Sequence, residues 1–229
     1  ADIYYNLDSN AMNLNGDDFD GTFFGTVSTI EGVFMQPDRN GEDLAMGFTS
    51  SWVGLQTSGW TSDVHNGTFT IAMWVKLEKA GSNSRVIYEF NCGENEAVGV
   101  FFETITGRLW LRQSNVTGEA SRINIGSTLY TSVGDNDSDW VFVALSVDSD
   151  QIITYTKALG TTRFDSNAII TGGDLLYEGN STTSTALNIS GERCNNAASA
   201  QFNLDDVVIF NRALTRNEID RLYDELNEQ

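Results

Sequence analysis

The chain has 229 residues, and its 32 acidic and 13 basic side chains give a formal net charge of −19 at pH 7. This charge repels phosphates, so nucleic acids and anionic membrane surfaces are excluded as partners. No apolar run approaches the ~18 residues that a membrane helix needs, which argues against membrane insertion. The acidity leaves three interpretations open: a calcium-rich site, a salt-adapted surface, or a solubilised extracellular module.

Alternation of apolar and polar residues predicts short β-strands along most of the chain. The triplet Asp148-Ser149-Asp150 separates two of these segments and predicts a hairpin turn. Many short strands indicate a sandwich or a barrel. With 40% hydrophobic residues and no linker-like stretch, the sequence indicates one domain over residues 1–229. The predicted strands are 3–7, 44–48, 52–55, 69–77, 85–90, 97–103, 108–113, 140–147, 151–157 and 185–190.

Two adjacent carboxylates, Asp205 and Asp206, precede the apolar run 207–210, which is typical of a buried strand. Burying them is costly unless each finds a partner. Strict alternation places Asp205 on one face with Val207 and Ile209. For Asp205 two interpretations stand level, a hydrogen bond from nearby backbone N–H groups or a calcium site completed by the acidic segment 16–21. For Asp206 the backbone interpretation is favoured.

The end of the chain changes from strand to helix. Ile219, Leu222, Tyr223 and Leu226 recur at helical spacing and predict one apolar face. Thr215 and Glu218 match a capping box, and Leu214 with Ile219 matches a hydrophobic staple. The sequence therefore predicts a short C-terminal helix packed on the sheets.

The predicted strand and helix together, residues 202–223, resemble the closing motif of laminin G-like and pentraxin-like domains. Three further segments resemble the same family in the same order, at 44–56, 67–77 and 138–160. The resemblance implies an all-β, two-sheet antiparallel jelly-roll sandwich of the concanavalin A-like type with a short C-terminal helix. Because this fold hosts lectins, adhesion modules and some glycosidases, it leaves the function open.

The resemblance also implies a calcium cofactor held by two loops, 91–97 and 190–199. Carboxylate and amide oxygens are suitable calcium ligands. The residues at the implied metal positions are Glu94, Asn95, Glu192 and Asn196, with Asp205 as the separate candidate described above. One cysteine lies in each loop. If the resemblance brings the loops together, Cys92 and Cys194 form a disulfide; the alternative is two buried free thiols.

Ligand-binding candidates lie in these loops and among the tryptophans. Arg193 is a lone cation beside Glu192, so it either binds an anionic ligand group or only neutralises its neighbour. Trp74 and Trp140 lie in predicted strands and are expected to be structural. The four candidates are Arg193, Asn195, Trp60 in a predicted loop, and Trp110, which shares a face with Arg112.

No catalytic motif is found. The segment 218–223 has Tyr223 where a sandwich glycosidase would carry its second acid, and it is predicted to be helical. The single histidine, His65, lies in a predicted loop, and no partnered nucleophile and base are visible. The protein is therefore expected not to be an enzyme.

These observations predict a secreted or surface-displayed lectin or adhesion module that binds a glycan or an extracellular protein with calcium. One alternative is a structural subunit of a virion, a filament or a large adhesin, which would make it part of a larger assembly. A polysaccharide-degrading enzyme is the third possibility. An aromatic and acidic cluster at one rim would favour the lectin, and paired carboxylates in a groove would favour the enzyme.

Overall fold

The computed structural model describes the backbone in fifteen strands, one helix and their immediate flanks. Side chains are described at 68–76, 140–148, 151–159, 203–226 and positions 164, 166 and 168. The described elements are β1 Ile3–Tyr5, β2 Gly21–Phe24, β3 Val27–Glu31, β4 Leu44–Phe48, β5 Gly54–Trp60, β6 Phe69–Leu77, β7 Arg85–Phe90, β8 Val98–Glu103, β9 Arg108–Ser114, β10 Ala120–Thr128, β11 Val141–Val147, β12 Gln151–Ala158, β13 Asp165–Ile170, β14 Thr185–Ile189, β15 Phe202–Phe210 and α1 Arg216–Asn227. Within the flanks, Thr68, Trp140, Asp148, Leu159, Phe164 and residues 211–215 are also described.

The strands form two antiparallel sheets. Sheet A has the order β13-β12-β11-β6-β15-β4-β3, and β1 also pairs with β15. Sheet B has the order β10-β9-β8-β7-β14-β5-β2. The sheets approach one another where β10 contacts β12 and β13. This arrangement confirms the predicted all-β jelly-roll class with its single short helix among the described elements.

The centre of sheet A is buried on both faces. All seven residues of β11 are buried, and the paired strand β6 is buried from Phe69 to Val75. Such a strand has a nearly continuous apolar sequence, as in Val141–Val147. One face carries Ile71 and Met73. The other carries Ala72 and Trp74 and is covered by α1.

Aromatic side chains fill the space between sheet A and α1. Phe142 contacts Trp74 with ring centroids 5.5 Å apart, and Tyr223 from the helix lies 5.4 Å from both rings. Phe164 is the last member of this group, and its ring centroid lies 5.3 Å from that of Tyr223. Edge-to-face pairs of this kind contribute about 0.5–1.5 kcal/mol beyond the area they bury. The predicted structural role of Trp74 and Trp140 is confirmed by their burial.

Two cations lie against this aromatic group. Lys157 Nζ is 3.6 Å from the ring centroid of Tyr223, and the Arg216 guanidinium is 5.1 Å from that of Phe164. Burial raises the pKa of both Tyr155 and Tyr223, which further favours the neutral form of each hydroxyl. The helix is therefore fixed to the sheet by apolar contacts and by cation–π interactions.

Two buried hydroxyls attach the connector between β15 and α1 to the sheet. Thr70 Oγ1 donates to the carbonyl of Arg212 and accepts from the backbone N–H of Leu214, both at 2.9 Å. Ser146 Oγ donates to the carbonyl of Leu214, also at 2.9 Å. Thr70 and Ser146 are paired across β6 and β11. We call this arrangement the hydroxyl clamp.

The start of α1 has one of the two bonds of the predicted capping box, the one from the backbone N–H of Thr215 to the Glu218 carboxylate, whereas the backbone N–H of Glu218 donates to the carbonyl of Thr215. A Glu218 carboxylate oxygen accepts hydrogen bonds from the backbone N–H and the hydroxyl of Thr215, both at 2.8 Å. Arg212 forms a 2.8 Å ion pair with the other carboxylate oxygen. The hydrogen bond from Arg212, followed by those from Thr215, lowers the pKa of Glu218 to about 2. Leu214 and Ile219 are both buried, as the staple requires.

The hairpin prediction is also confirmed. Asp148 Oδ1 accepts the backbone N–H of Gln151 at 2.9 Å, and the backbone N–H of Asp148 donates to the carbonyl of Gln151 at 3.0 Å. These bonds join β11 and β12. Of the described part of the chain, no helix has the length and apolar character needed to cross a bilayer.

Candidate functional site

The strand registers of sheet B place one polar or small residue from every strand in a single row. The pairs connect continuously from the edge strand β2 to the opposite edge strand β10. We call this set the polar row. Its members, in spatial order, are Thr22, Gln56, Asn188, Glu89, Gly99, Arg112 and Arg122.

The next row along the strands is entirely apolar or aromatic. Its members are Phe23, Leu55, Ile189, Tyr88, Val100, Leu111 and Ile123. Successive residues of a strand belong to opposite faces, so the two rows lie on opposite faces of sheet B. A sheet with one apolar and one polar face packs the apolar face on the core and presents the polar face to solvent. This contrast between the two rows is the one expected when the polar row is on the solvent side of the sheet.

Aromatic and amide groups adjoin one end of the polar row. Trp110 lies two positions before Arg112 on β9 and pairs with Asn124 of β10. By alternation, Trp110 and Asn124 share the face of the arginines. Beyond Asn124 the β9–β10 register shifts. Such irregularities are frequent beside binding sites because they change the direction of the strand.

The row has the chemistry of a surface that binds hydroxyl-rich ligands. Glu89 supplies acceptors, the arginines supply donors, and Gln56 and Asn188 supply both. An indole such as that of Trp110 provides a flat apolar surface for stacking. Six inter-strand spacings of about 4.8 Å make the row about 29 Å long, which suits an extended ligand.

The predicted calcium and disulfide loops lie outside the described residues. This applies to every candidate in them: Cys92, Glu94, Asn95, Glu192, Arg193, Cys194, Asn195 and Asn196. The strands that lead into these loops are described. Phe90, the last residue of β7, pairs with Leu187, whereas Ile189, the last residue of β14, pairs with Tyr88. The chain thus leaves these two antiparallel strands in opposite directions.

Asp205 lies at a β-bulge in the middle of sheet A. It pairs with Trp74, but Val208, three residues later, pairs with Ala72, so β15 has one extra residue here. Asp206 has a φ of 47° in the left-handed region. Asp205 Oδ1 accepts the backbone N–H of Asp206 at 3.0 Å, and Asp205 is only 3% exposed.

The bulge corrects the prediction that strict alternation holds through this strand. The extra residue places Asp205 on the face of Val208 and Phe210, and not on the face of Val207 and Ile209. The hydrogen bond from the backbone N–H of Asp206 supports the backbone interpretation for Asp205, and the interpretation for the Asp206 carboxylate stays a prediction. In the described ranges, no group of three His, Cys, Asp or Glu residues is arranged to hold a metal ion. The calcium role of Asp205 stays a prediction, since its expected partners in 16–21 are not described.

The structure contradicts the predicted location of one tryptophan candidate, Trp60, and agrees with that of the other, Trp110. The loop placement of Trp60 is wrong: it is the last residue of β5 and pairs with Thr185. Pairing with both β14 and β2 extends β5 past the predicted end at residue 55. Trp110 lies on β9 with Arg112 two positions away, as predicted.

Sequence reasoning missed the polar row and one of its arginines. Arg122 belongs to β10, a strand not predicted, although Arg122 and Asn124 alternate with Ile123 and Ile125. That short alternation was the available signal. Gly126 and the neighbouring polar residues interrupt this alternation.

Comparison with known proteins identifies the fold family. The model of the Concanavalin A-like lectin/glucanases superfamily matches residues 49–220. A search of curated proteins gave no match. Among solved structures, domain 4 of AbnA, a GH43 extracellular arabinanase from Geobacillus stearothermophilus in complex with arabinotriose, is similar over 96% of both chains, with 15% identity and a TM-score of 0.65.

Botulinum neurotoxin domains are similar as well. The receptor binding domain of the C/D mosaic serotype gives a TM-score of 0.63 at 14% identity over 97% of this chain and 50% of that one. The binding domain of neurotoxin DC in complex with SialylT gives 0.62 at 13% identity over 98% and 50%. This chain therefore spans about half of each toxin domain. Because these identities are low, they show a shared fold, and the family match shows membership: the chain belongs to the concanavalin A-like lectin/glucanase superfamily, as a laminin G-like jelly-roll domain.

Proposed function

We propose that the protein is an extracellular glycan-binding module whose ligand lies along the polar row of sheet B. The observation that carries the proposal is the continuous row of seven register positions with Trp110 beside it. Glycans present hydroxyls along their length and flat apolar patches on their rings. A line of hydrogen-bonding groups next to an indole matches both features.

Two of the similar structures support a glycan as the ligand class. The arabinanase domain was solved with arabinotriose, and one toxin domain with SialylT. The arabinanase domain carries more weight, since this chain covers nearly all of it. This chain covers only about half of each toxin domain, so the ligand of the toxin domain supports the proposal less strongly.

The proposed role is binding, assisted by calcium, and not catalysis. Support for calcium comes from the acidic composition and from the oxygen-rich loops that contain Glu94, Asn95, Glu192 and Asn196. Support for an extracellular location comes from the same acidity and from the extracellular arabinanase with the same fold.

A glycan array followed by calorimetry tests the proposal. Trp110→Ala removes the stacking surface, and Asn188→Ala removes one donor and one acceptor from the centre of the row. Loss of a stacked aromatic costs roughly 1–3 kcal/mol, so we expect affinity for the best glycan to fall about 5–150-fold. Asn217→Ala is the matched control for Asn188→Ala, because Asn217 is an exposed residue of α1, the helix that packs on sheet A. This variant should bind the glycan normally.

Each variant must retain the parent's melting temperature for its binding to be compared. Unchanged affinity of both Trp110→Ala and Asn188→Ala would move the ligand away from sheet B. The loop candidates Arg193 and Asn195 would then be the next residues to substitute.

A further inference from the structure

We infer that the glycan carries an anionic oxygen group, a carboxylate or a sulfate, and that Arg112 and Arg122 bind it. This inference rests on the proposed glycan binding by sheet B. Its starting point is that Arg112 of β9 and Arg122 of β10 are direct register partners. Only 13 of the 229 residues are Lys or Arg, against 32 acidic residues. Two of these few cations thus occupy a single cross-strand pair.

Like charges at directly opposed positions destabilise an antiparallel pair. Opposed residues have Cα atoms only about 4.5–5.5 Å apart, so an oxygen anion bound to this face can interact with both guanidinium groups. Guanidinium groups bind carboxylate and sulfate oxygens through two parallel hydrogen bonds. A bound anion therefore turns an unfavourable pair into a binding element.

The other arginine of β9 shows a different arrangement. Arg108 is the register partner of Glu103 on β8, so its charge has an acid at the adjacent position. Arg112 has Gly99 at the equivalent position. Neither Trp110 nor Asn124, the neighbours on the same face, carries a charge. At the described register positions of β8, β9 and β10, no acid is opposed to Arg112 or Arg122.

Glu89 is the nearest acid along the polar row, and it defines the competing explanation. It lies on β7, separated from Arg112 by Gly99, at about 10 Å or two inter-strand spacings. An ion pair over Gly99 would engage Arg112 in a purely structural role. One carboxylate balances only one of the two cations, so Arg122 still adds a positive charge at the end of the row.

The neighbouring groups fit an acidic sugar. Trp110 provides a stacking surface one pair away from the arginines, and Asn124 provides an amide beside it. A uronic acid or a sulfated sugar presents a flat ring, hydroxyls and an anionic group within one residue. The β9–β10 pair offers a group for each of these features.

The test uses oligosaccharides that differ only in charge. We would measure binding of a galacturonic acid oligosaccharide and its methyl ester, and of a sulfated galactose oligosaccharide and its desulfated form. The parent protein should bind an acidic member more tightly than its neutral counterpart. Arg112→Gln and Arg122→Gln should each weaken that binding about 10-fold or more, the effect of losing one charge-assisted contact. For neutral glycans, each arginine variant should change the affinity by less than about 3-fold, because the stacking contact with Trp110 stays intact.

Controls separate binding from folding and from general charge effects. Arg221→Gln removes a cation from an exposed position on α1 and should leave binding unchanged. Arg122→Lys keeps the charge but loses the planar fork, so it should recover only part of the affinity. Without ligand, Arg122→Gln should melt at the parent's temperature or above it, because it removes a like-charge pair. A lower melting temperature together with normal acidic-glycan binding would establish the structural explanation.

The remaining outcomes distinguish this inference from the proposed function. If neutral glycans bind as tightly as acidic ones, and Trp110→Ala but neither arginine variant weakens them, glycan binding stands and the anionic ligand is refuted. If none of these oligosaccharides binds but the array identifies a neutral glycan as the ligand, only the anionic ligand is refuted; if no glycan binds in either experiment, both are refuted. The uronate and sulfate arms show which anion the pair accepts.

Discussion

Replacing Thr70 with valine should release the helix connector from sheet A with almost no change in side-chain volume. Thr70 is fully buried and makes two 2.9 Å hydrogen bonds in the hydroxyl clamp. Valine would leave the buried N–H of Leu214 unsatisfied, which costs about 1–3 kcal/mol. The bond to the carbonyl of Arg212, a more exposed residue, adds roughly 0.5–1.5 kcal/mol. We expect a total loss of about 1.5–4.5 kcal/mol, or roughly 3–18 °C in melting temperature for a domain of this size.

Urea unfolding followed by tryptophan fluorescence measures this loss. The midpoint should fall while the slope stays the same, as for a change in stability alone. Thr156→Val is the matched control, since it makes the same substitution at a buried position of β12 that has no part in the clamp. If Thr70→Val is no more destabilising than Thr156→Val, the clamp does not hold the connector. A double-mutant cycle with Ser146→Ala then shows whether the two hydroxyls act together.

Four further predictions concern Glu218, Asp206, calcium and the two cysteines. Glu218 has a pKa of about 2 in the folded protein against an ordinary value of 4.5, so its stabilising contribution is complete above about pH 4.5 and is lost as the pH falls towards 2. The difference in melting temperature between the parent and Glu218→Gln should therefore shrink over that pH window. A constant difference would contradict the role of the Glu218 carboxylate in stabilising the start of α1. Asp206 has a φ of 47°, a region that glycine adopts freely, so Asp206→Val should be less stable than Asp206→Gly by roughly 1–2 kcal/mol in urea unfolding, and equal stability would argue against the bulge. Calcium at 100 times its dissociation constant should add about 2.7 kcal/mol of stability, and Glu94→Ala should remove this gain if loop 91–97 binds the ion; an unchanged melting temperature after exhaustive EDTA treatment would count against calcium. In the same loops, intact mass with and without alkylation should show no free thiol on Cys92 or Cys194.

The sequence located most of the strands because their signal is local. The segment 69–77 alternates over nine residues and coincides with β6, and 85–90 coincides with β7. The C-terminal helix was predicted from its cap, its staple and its apolar spacing, all contained within about a dozen residues. Periodicity of this kind is visible in one dimension.

The candidate site required the order of the strands, which is not local. Gln56 and Glu89 belong to one row only because β14, nearly 100 residues after β7, lies between β5 and β7. Alternation identifies which residues share a face within one strand but contains no information on its neighbours. The bulge at Asp206 was missed for a related reason, since an extra residue is recognised only against the strand opposite it.

The position of β15 has a consequence for how the chain acquires its fold. This strand forms the middle of sheet A between β6 and β4, and it also pairs with β1. A growing polypeptide that still lacks residues 202–226 therefore has neither the central strand nor the helix that covers Trp74 and Phe142. Its aromatic face stays open to water and to other chains until synthesis reaches that point. Completion of sheet A accordingly waits for residues 202–226 and depends on contacts distant in sequence, and such folding is slow. During this interval a chaperone that shields the open face would raise the yield of folded protein.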